Sequence, residues 1–163
     1  MRVRRLAPRD ADAFRALRLE ALRLAPFAFG AALAEEEHRP LSWFGQTLGH
    51  AAVFAAEHGP GQLGGMLGYR RDSLLKRRHI GHLWGMYVRP KARGQGIGAA
   101  LLEAAIAHAR AEVSVLQLMV GEGNPAARRL YERAGFTLYG TEAASLRVEG
   151  VEAVTLLMAM RLG

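Results

Sequence analysis

The stretch that most constrains the fold is Arg89–Ala109, RPKARGQGIGAALLEAAIAHA, where Gly94, Gly96 and Gly98 run directly into an Ala/Leu/Ile helix. Glycine costs backbone entropy, so a cluster of it marks a place where side chains would be in the way. Ahead of it Ile80–Val88 (IGHLWGMYV) reads as a strand, and behind it Ser114–Val120 (SVLQLMV) reads as another. A strand, a helix and a strand in this order imply a right-handed parallel crossover. Within the helix, Ile97, Leu101, Leu102, Ala105 and Ile106 form a broad apolar stripe that fixes its N-terminus against the sheet.

Successive N–H groups with no side chains beside them can converge on an anion, and the first turn of a helix adds unpaired donors and the positive end of its dipole. The dipole alone is worth ~0.3–1 kcal/mol per charge, so several aligned N–H bonds must carry the affinity. Arg93 adds a charge-assisted bond, and a pyrophosphate is the natural guest. An unliganded strand–helix turn fits the same glycines. So does a dinucleotide fingerprint, because Gly94-x-Gly96-x-x-Ala99 satisfies the loosened G-x-G-x-x-G/A pattern and Glu122 follows the next strand, where a ribose-binding acid is expected. Two features oppose the dinucleotide reading: RPKA separates strand from glycines, and too little chain follows Val120 for the rest of a doubly wound fold. The Walker pattern is absent.

The remaining elements surround this centre. Val3–Ala7 reads as a short strand, RDADAFRALRLEALRLAP as a helix that Asp10 or Asp12 caps and Pro26 stops, and LSWFGQTL as a second short helix. Between these helices FAFGAALAEEEHRP reads as irregular. AAVFAAEH and GQLGGMLGYRRD read as strands joined by GPG, NPAARRLYERAG as a helix, and FTLYGTE and VEAVTLLMAMRL as final strands. The expectation is one α/β domain over residues 1–163 on a mixed sheet.

Composition narrows the chemistry. The absence of cysteine excludes disulfides, thiolate metal sites and thiol nucleophiles. MRVRRLAPRDADAF lacks the apolar segment of a signal peptide and no run approaches a membrane span, so the expectation is a cytoplasmic protein with no membrane partner. Twenty-two basic against 15 acidic residues, net +7, suit a polyanionic ligand: nucleic acid, an acidic partner or a phosphorylated cofactor. His79 and His82, three apart on a strand, point to opposite faces and make poor co-ligands, so no metal site is expected.

Arg93-x-x-Gly96-x-Gly98 resembles the acetyl-CoA motif Q/R-x-x-G-x-G/A of the GNAT N-acetyltransferase superfamily, preceded by a strand ending MYVRP. NPAARRLYERAGF (Asn124–Phe136) resembles the superfamily's second block, N-x-x-A-x-x-L-Y-x-x-x-G-F, at every specified position. The clear match covers about Leu83–Phe136; AFGAALAEEE and YGTEAASLRVEG look loosely like a common bacterial subgroup. The resemblance implies a GNAT fold, a mixed sheet of about six to seven strands splayed at the cofactor and flanked by about four helices. It implies acetyl-CoA as donor, with direct acetyl transfer to a primary amine of a small molecule or peptide. The backbone of Met86, Tyr87 and Val88 would pair with the pantetheine arm like an added strand, and Arg93, Gly94, Gln95, Gly96, Ile97, Gly98 and Ala99 would hold the pyrophosphate. Gly85, inside a strand, fits a bulge or a close backbone approach.

Attack of an amine on a thioester needs a neutral amine, a stabilised oxyanion and a protonated leaving sulfur. A strand N–H near Met86–Val88 serves the oxyanion, and Tyr131 corresponds to the superfamily's usual acid. Asn124 and Tyr131, seven apart, share a helix face. Asn124 before Pro125 is also the pattern of an N-cap, a role that can coexist with cofactor binding. Relatives carry a glutamate on the fourth strand to accept the amine's proton, and HIGHLWGMYV has none. His82 is one substitute, with a solvated or core-satisfied histidine as its other reading. Glu35, Glu36 and Glu37 either attract a cationic amine or form a solvated loop, and Arg70–His79 reads as a solvated basic hairpin or a contact for phosphate, nucleic acid or an acidic partner. A catalytically idle acyl-CoA-binding or regulatory module and a nucleic-acid-associated protein remain the other classes. Protein N-termini, amino acids, polyamines and antibiotic amines all remain open as acceptors, and a homodimer is common among relatives.

Overall fold

Seven strands make one sheet in the order β1-β2-β3-β4-β5-β7-β6 in the computed structural model, which describes all residues, Met1–Gly163. They are β1 (Arg2–Arg5), β2 (Ala52–Glu57), β3 (Leu63–Arg71), β4 (Ile80–Val88), β5 (Val115–Gly121), β6 (Thr137–Val148) and β7 (Val151–Arg161). Neighbours are antiparallel except β4 and β5, the parallel pair joined by the glycine-led crossover. The helices are α1 (Ala11–Leu24), the single turn α2 (Leu33–Glu36), α3 (Leu41–His50), α4 (Ile97–Ala109) and α5 (Pro125–Ala134).

The central strands are apolar on both faces because helices cover both. On β3, Met66 joins Phe14, Leu17, Phe44 and Leu48 of α1 and α3, while Leu67 joins Leu101 of α4, Leu116 and Met158 on the other side. The strand's glycines permit this closeness. A Cβ on Gly68 would lie 2.2 Å from the Trp84 ring, and one on Gly65 would lie 2.8 Å from the Tyr87 carbonyl oxygen.

The sheet divides where the crossover begins. β4 and β5 pair only at Ile80–Val115, Gly81–Leu116 and His82–Gln117, whereas β3 stays paired with β4 as far as Val88. Met66 lies opposite Tyr87 and Gly68 opposite Trp84, so Gly85 and Met86 together face Leu67. Gly85 has φ +68° and forms the expected bulge, which bends β4 as β5 departs from it. The backbone of Leu83–Val88 therefore has a strand on one side and an opening on the other.

Two segments are more ordered than their sequence predicts. The irregular stretch before α3 contains α2, because Glu36 is drawn inward to 6% exposure by the Arg18 guanidinium, whose Nε and Nη2 each donate at 2.9 Å. The YGTEAASLRVEG segment, expected as strand only to Glu142, is strand to Val148 and then turns at Glu149–Gly150. β6 continues to Val148 against β7, with register shifts at Leu138/Gly140 and Glu142/Leu146 absorbing its broken alternation.

Candidate active site

Gly94 and Gly96 both adopt left-handed backbone conformations, with φ +74° and +79°, and a Cβ at either would meet only open space. Gly96 is the N-cap of α4. Gly98 is a glycine for another reason: it lies within the helix, and its Cβ would press to 3.2 Å from Leu130 of α5. The first two glycines thus shape the loop and the third seats α4 on α5. The free N–H groups of the α4 start face a cleft of about 500 Å³ between β4 and α5.

Ten of the expected cofactor residues line that cleft: Met86, Tyr87, Val88, Arg93, Gly94, Gly96, Ile97, Gly98, Ala99 and Asn124. Gln95 is not in its wall; its side-chain Oε1 lies 3.2 Å from His58 Nε2 and its Nε2 donates to Lys91 O at 3.4 Å. Arg93 folds back so that its Nε donates to Val88 O at 3.0 Å. Arg133 of α5 joins the wall, a contributor that the motif spacing does not single out. With two arginines, no acid and bare backbone at a helix start, the cleft suits a phosphate-bearing ligand. A side chain at Gly94 or Gly96 would project from the loop that gives the cleft this character.

A second cavity of about 660 Å³ adjoins the first, and Ala25, Ala28, Met86, Asn124 and Ala127 belong to both walls. Tyr131 stands here and not in the first cleft. Its residue is 5% exposed, its ring meets Phe136 edge-on at 6.0 Å, and burial alone pushes the phenol above its ordinary value. Asn124 serves as the α5 N-cap, its Oδ1 accepting from Ala127 N at 3.1 Å, while its side chain borders both spaces.

The other candidates lie apart from these spaces. His82 is on the paired end of β4, with Nε2 3.0 Å from Asp72 Oδ2, and borders neither cavity. Arg77 donates to the same oxygen at 2.9 Å, and the hydrogen bonds from His82, Arg77 and the Leu74 backbone hold the Asp72 carboxyl below the ordinary range. This ties down the Arg70–His79 hairpin, whose Leu74 and Leu75 are exposed. Neither reading of Glu35–Glu37 fits Glu36, which is a buried ion-pair partner of Arg18; Glu35 accepts from Ala32 N at 2.8 Å at the start of α2. The proximity of Arg18 and Glu36, like the part played by the Pro26–Ala28 turn in both walls, arises from long-range packing and leaves no local pattern.

A sheet split beside a glycine-led helix start, with a buried tyrosine in the adjoining cavity, is the arrangement that the resemblance to GNAT acetyltransferases implies. The model of the Acetyltransferase (GNAT) family matches residues 16–136, and the chain belongs to that family. Among curated relatives, a mycothiol acetyltransferase from Thermobispora bispora is 46% identical over 59 residues, 36% of this chain and 20% of that protein, so this chain spans only a small part of that relative. Among solved structures, a ribosomal-protein-alanine N-acetyltransferase from Brucella melitensis superposes with TM-score 0.82 at 27% identity, over 99% of this chain and 100% of the other. A phosphinothricin acetyltransferase from Sinorhizobium meliloti, solved in complex with acetyl-CoA, superposes with TM-score 0.81 at 22% identity, over 99% and 88% of the two chains. No helix here is long and apolar enough to cross a membrane.

Proposed function

We propose that this protein is an acetyl-CoA-dependent N-acetyltransferase that passes the acetyl group to a primary amine in a ternary complex, with Tyr131 as proton donor. The observation that carries this reading is the adjacency of the two cavities at the β4–β5 split, one basic and lined by bare helix-start backbone, the other holding a buried tyrosine.

Arg93 and the N–H groups of the Gly94–Ala99 stretch hold the pyrophosphate, and the open backbone edge of Met86–Val88 receives the pantetheine arm as a strand would. Bound there, acetyl-CoA supplies an activated thioester whose acetyl group goes to the amine nitrogen as the thiol departs. A backbone N–H in Met86–Val88 stabilises charge on the acetyl oxygen without reorganising. Tyr131 keeps a proton on Oη because burial disfavours its phenolate, so it has one to give to the leaving sulfur. No acid or histidine occupies the β4 stretch beside the opening, so orientation of the amine carries much of the rate, an effect worth ~7–11 kcal/mol in well-aligned cases.

Acetyl-CoA is expected to raise the melting temperature, and Gly96→Glu to abolish that shift by placing a charged side chain at the α4 start. Absence of a shift in the wild type at millimolar acetyl-CoA would overturn the reading. A shift without thiol release on any amine would instead identify an idle acyl-CoA-binding module.

A further inference from the structure

The two adjoining cavities carry opposite charge. The cleft at the α4 start has Arg93 and Arg133 and no acid, whereas the cavity beside Tyr131 has Glu122 and Glu152 and no lysine, arginine or histidine. Twelve of the eighteen residues lining the second cavity are hydrophobic. Its walls come from the Pro26–Ala28 turn, the end of β5 and the start of β7. Its volume falls within the ~300–1,000 Å³ range of small-molecule sites.

Glu122 is positioned by backbone and not by a counter-ion. Its N–H donates to Val154 O at 2.9 Å, and the turn behind it closes through Asn124 N donating to Gly121 O at 3.0 Å. Glu152 lies 3.5 Å from Arg147, an exposed pair, whereas Glu122 has no ion-pair partner in the chain. The charge of Glu122 at this cavity is therefore uncompensated from within, while that of Glu152 is shared with Arg147.

We propose that the cavity beside Tyr131 is the acceptor site for a small cationic primary amine with an apolar body and no carboxylate, phosphate or phosphinate, and that Glu122 selects for it. The proposal rests on the acetyltransferase reading and adds the acceptor's chemistry to it. An ammonium is drawn by Glu122 in the form that predominates at neutral pH and gives up a proton to solvent before its nitrogen attacks, and the apolar body takes the surface of Phe27, Met119 and Val151. An acceptor with an anionic group would bring it beside two carboxylates with no cation in the wall to receive it.

Matched pairs that differ by one carboxylate test this. In thiol-release assays with acetyl-CoA, 2-phenylethylamine is expected to exceed L-phenylalanine in kcat/KM by at least about a hundredfold, and tryptamine to exceed L-tryptophan similarly. Glu122→Gln is expected to raise the KM for 2-phenylethylamine about three- to tenfold, with the effect on KM and not kcat, and Glu122→Asp to restore most of the loss. Glu122→Lys is expected to narrow the gap between each amine and its amino acid. Equal or better turnover of the amino acids, turnover of peptide N-termini alone, or no turnover of either arylalkylamine would overturn the proposal. The melting shift with acetyl-CoA, read on the same samples, separates the two failures: with the shift present only the acceptor assignment falls, and with it absent the acetyltransferase reading falls too.

Discussion

Tyr131 owes its protonation state to where α5 places it. Its phenol is shifted by burial with no charged partner, so the protonated form persists above the ordinary value of 10.0. As the proposed proton donor it would hold the active form throughout the neutral and mildly alkaline range, and loss of activity from its ionisation would belong above pH 10. Tyr131→Phe is expected to lower kcat by about 10²-fold or more while the acetyl-CoA melting shift persists. The wild-type pH–rate profile is expected to lack a falling limb attributable to this tyrosine below that pH; turnover by the phenylalanine variant at the wild-type rate would remove the residue from the reaction. The placement of Tyr131, Gly94 and Gly96 beside the cavities was legible in the sequence because each stands in a short local pattern. Glu36 was not, since its role depends on Arg18 in another helix. Glu122 stood out only through a dinucleotide pattern, and its place beside Tyr131 depends on where β5 and β7 meet.

Among elements, α5 shows one residue serving two purposes. Asn124 caps it through Oδ1, Pro125 follows at its first position, and Gly135 ends it in a left-handed conformation, φ +108°. Asn124→Ala is expected to cost about 1 kcal/mol in urea unfolding, with acetyl-CoA KM measured alongside because the same side chain borders the cleft. Unchanged stability would mean that Pro125 and packing hold the helix start unaided. β4 was legible to its boundaries from its apolar run and following proline, and Gly85 within it pointed to the bulge. β6 was read too short because its alternation breaks at residues whose register shifts only pairing with β7 reveals.

For the whole molecule, the N-terminal edge is fastened by charge. Arg4 donates to both Asp10 oxygens at 2.9 and 3.0 Å and to Glu57 at 2.9 Å, and Ala7 N adds a bond to Asp10 at 2.8 Å. Chiefly through the Arg4 bonds, the Asp10 carboxyl falls from 3.8 to about 2. The unfolded chain binds this proton first, so the group's contribution is complete above about pH 4 and is lost as pH falls through about 2. Asp10→Asn is expected to lower stability at neutral pH and to flatten the decline between pH 4 and 2, as measured by urea midpoints; an unaltered slope would assign the acid transition to other groups. The sheet's mixed architecture was legible from element order. The reach of its split was not, because pairing between β4 and β5 ends after three residues for reasons that lie in both strands.

That short seam would give acetyl-CoA, bound as proposed, a second effect, on how long the protein lasts. Within the sheet only three residue pairs link the four N-terminal strands to the three C-terminal ones, and the core beneath α4 spans the seam, so a ligand filling the gap would add a second fastening between the halves. In hydrogen exchange the unliganded sheet is expected to open as two cooperative units that meet at this seam, and donor binding to slow exchange on both flanks together; one protection class with and without donor would exclude the division. Ligand at a hundred times its dissociation constant adds about 2.7 kcal/mol to stability. The protein's resistance to proteolysis would then rise and fall with the supply of its proposed donor.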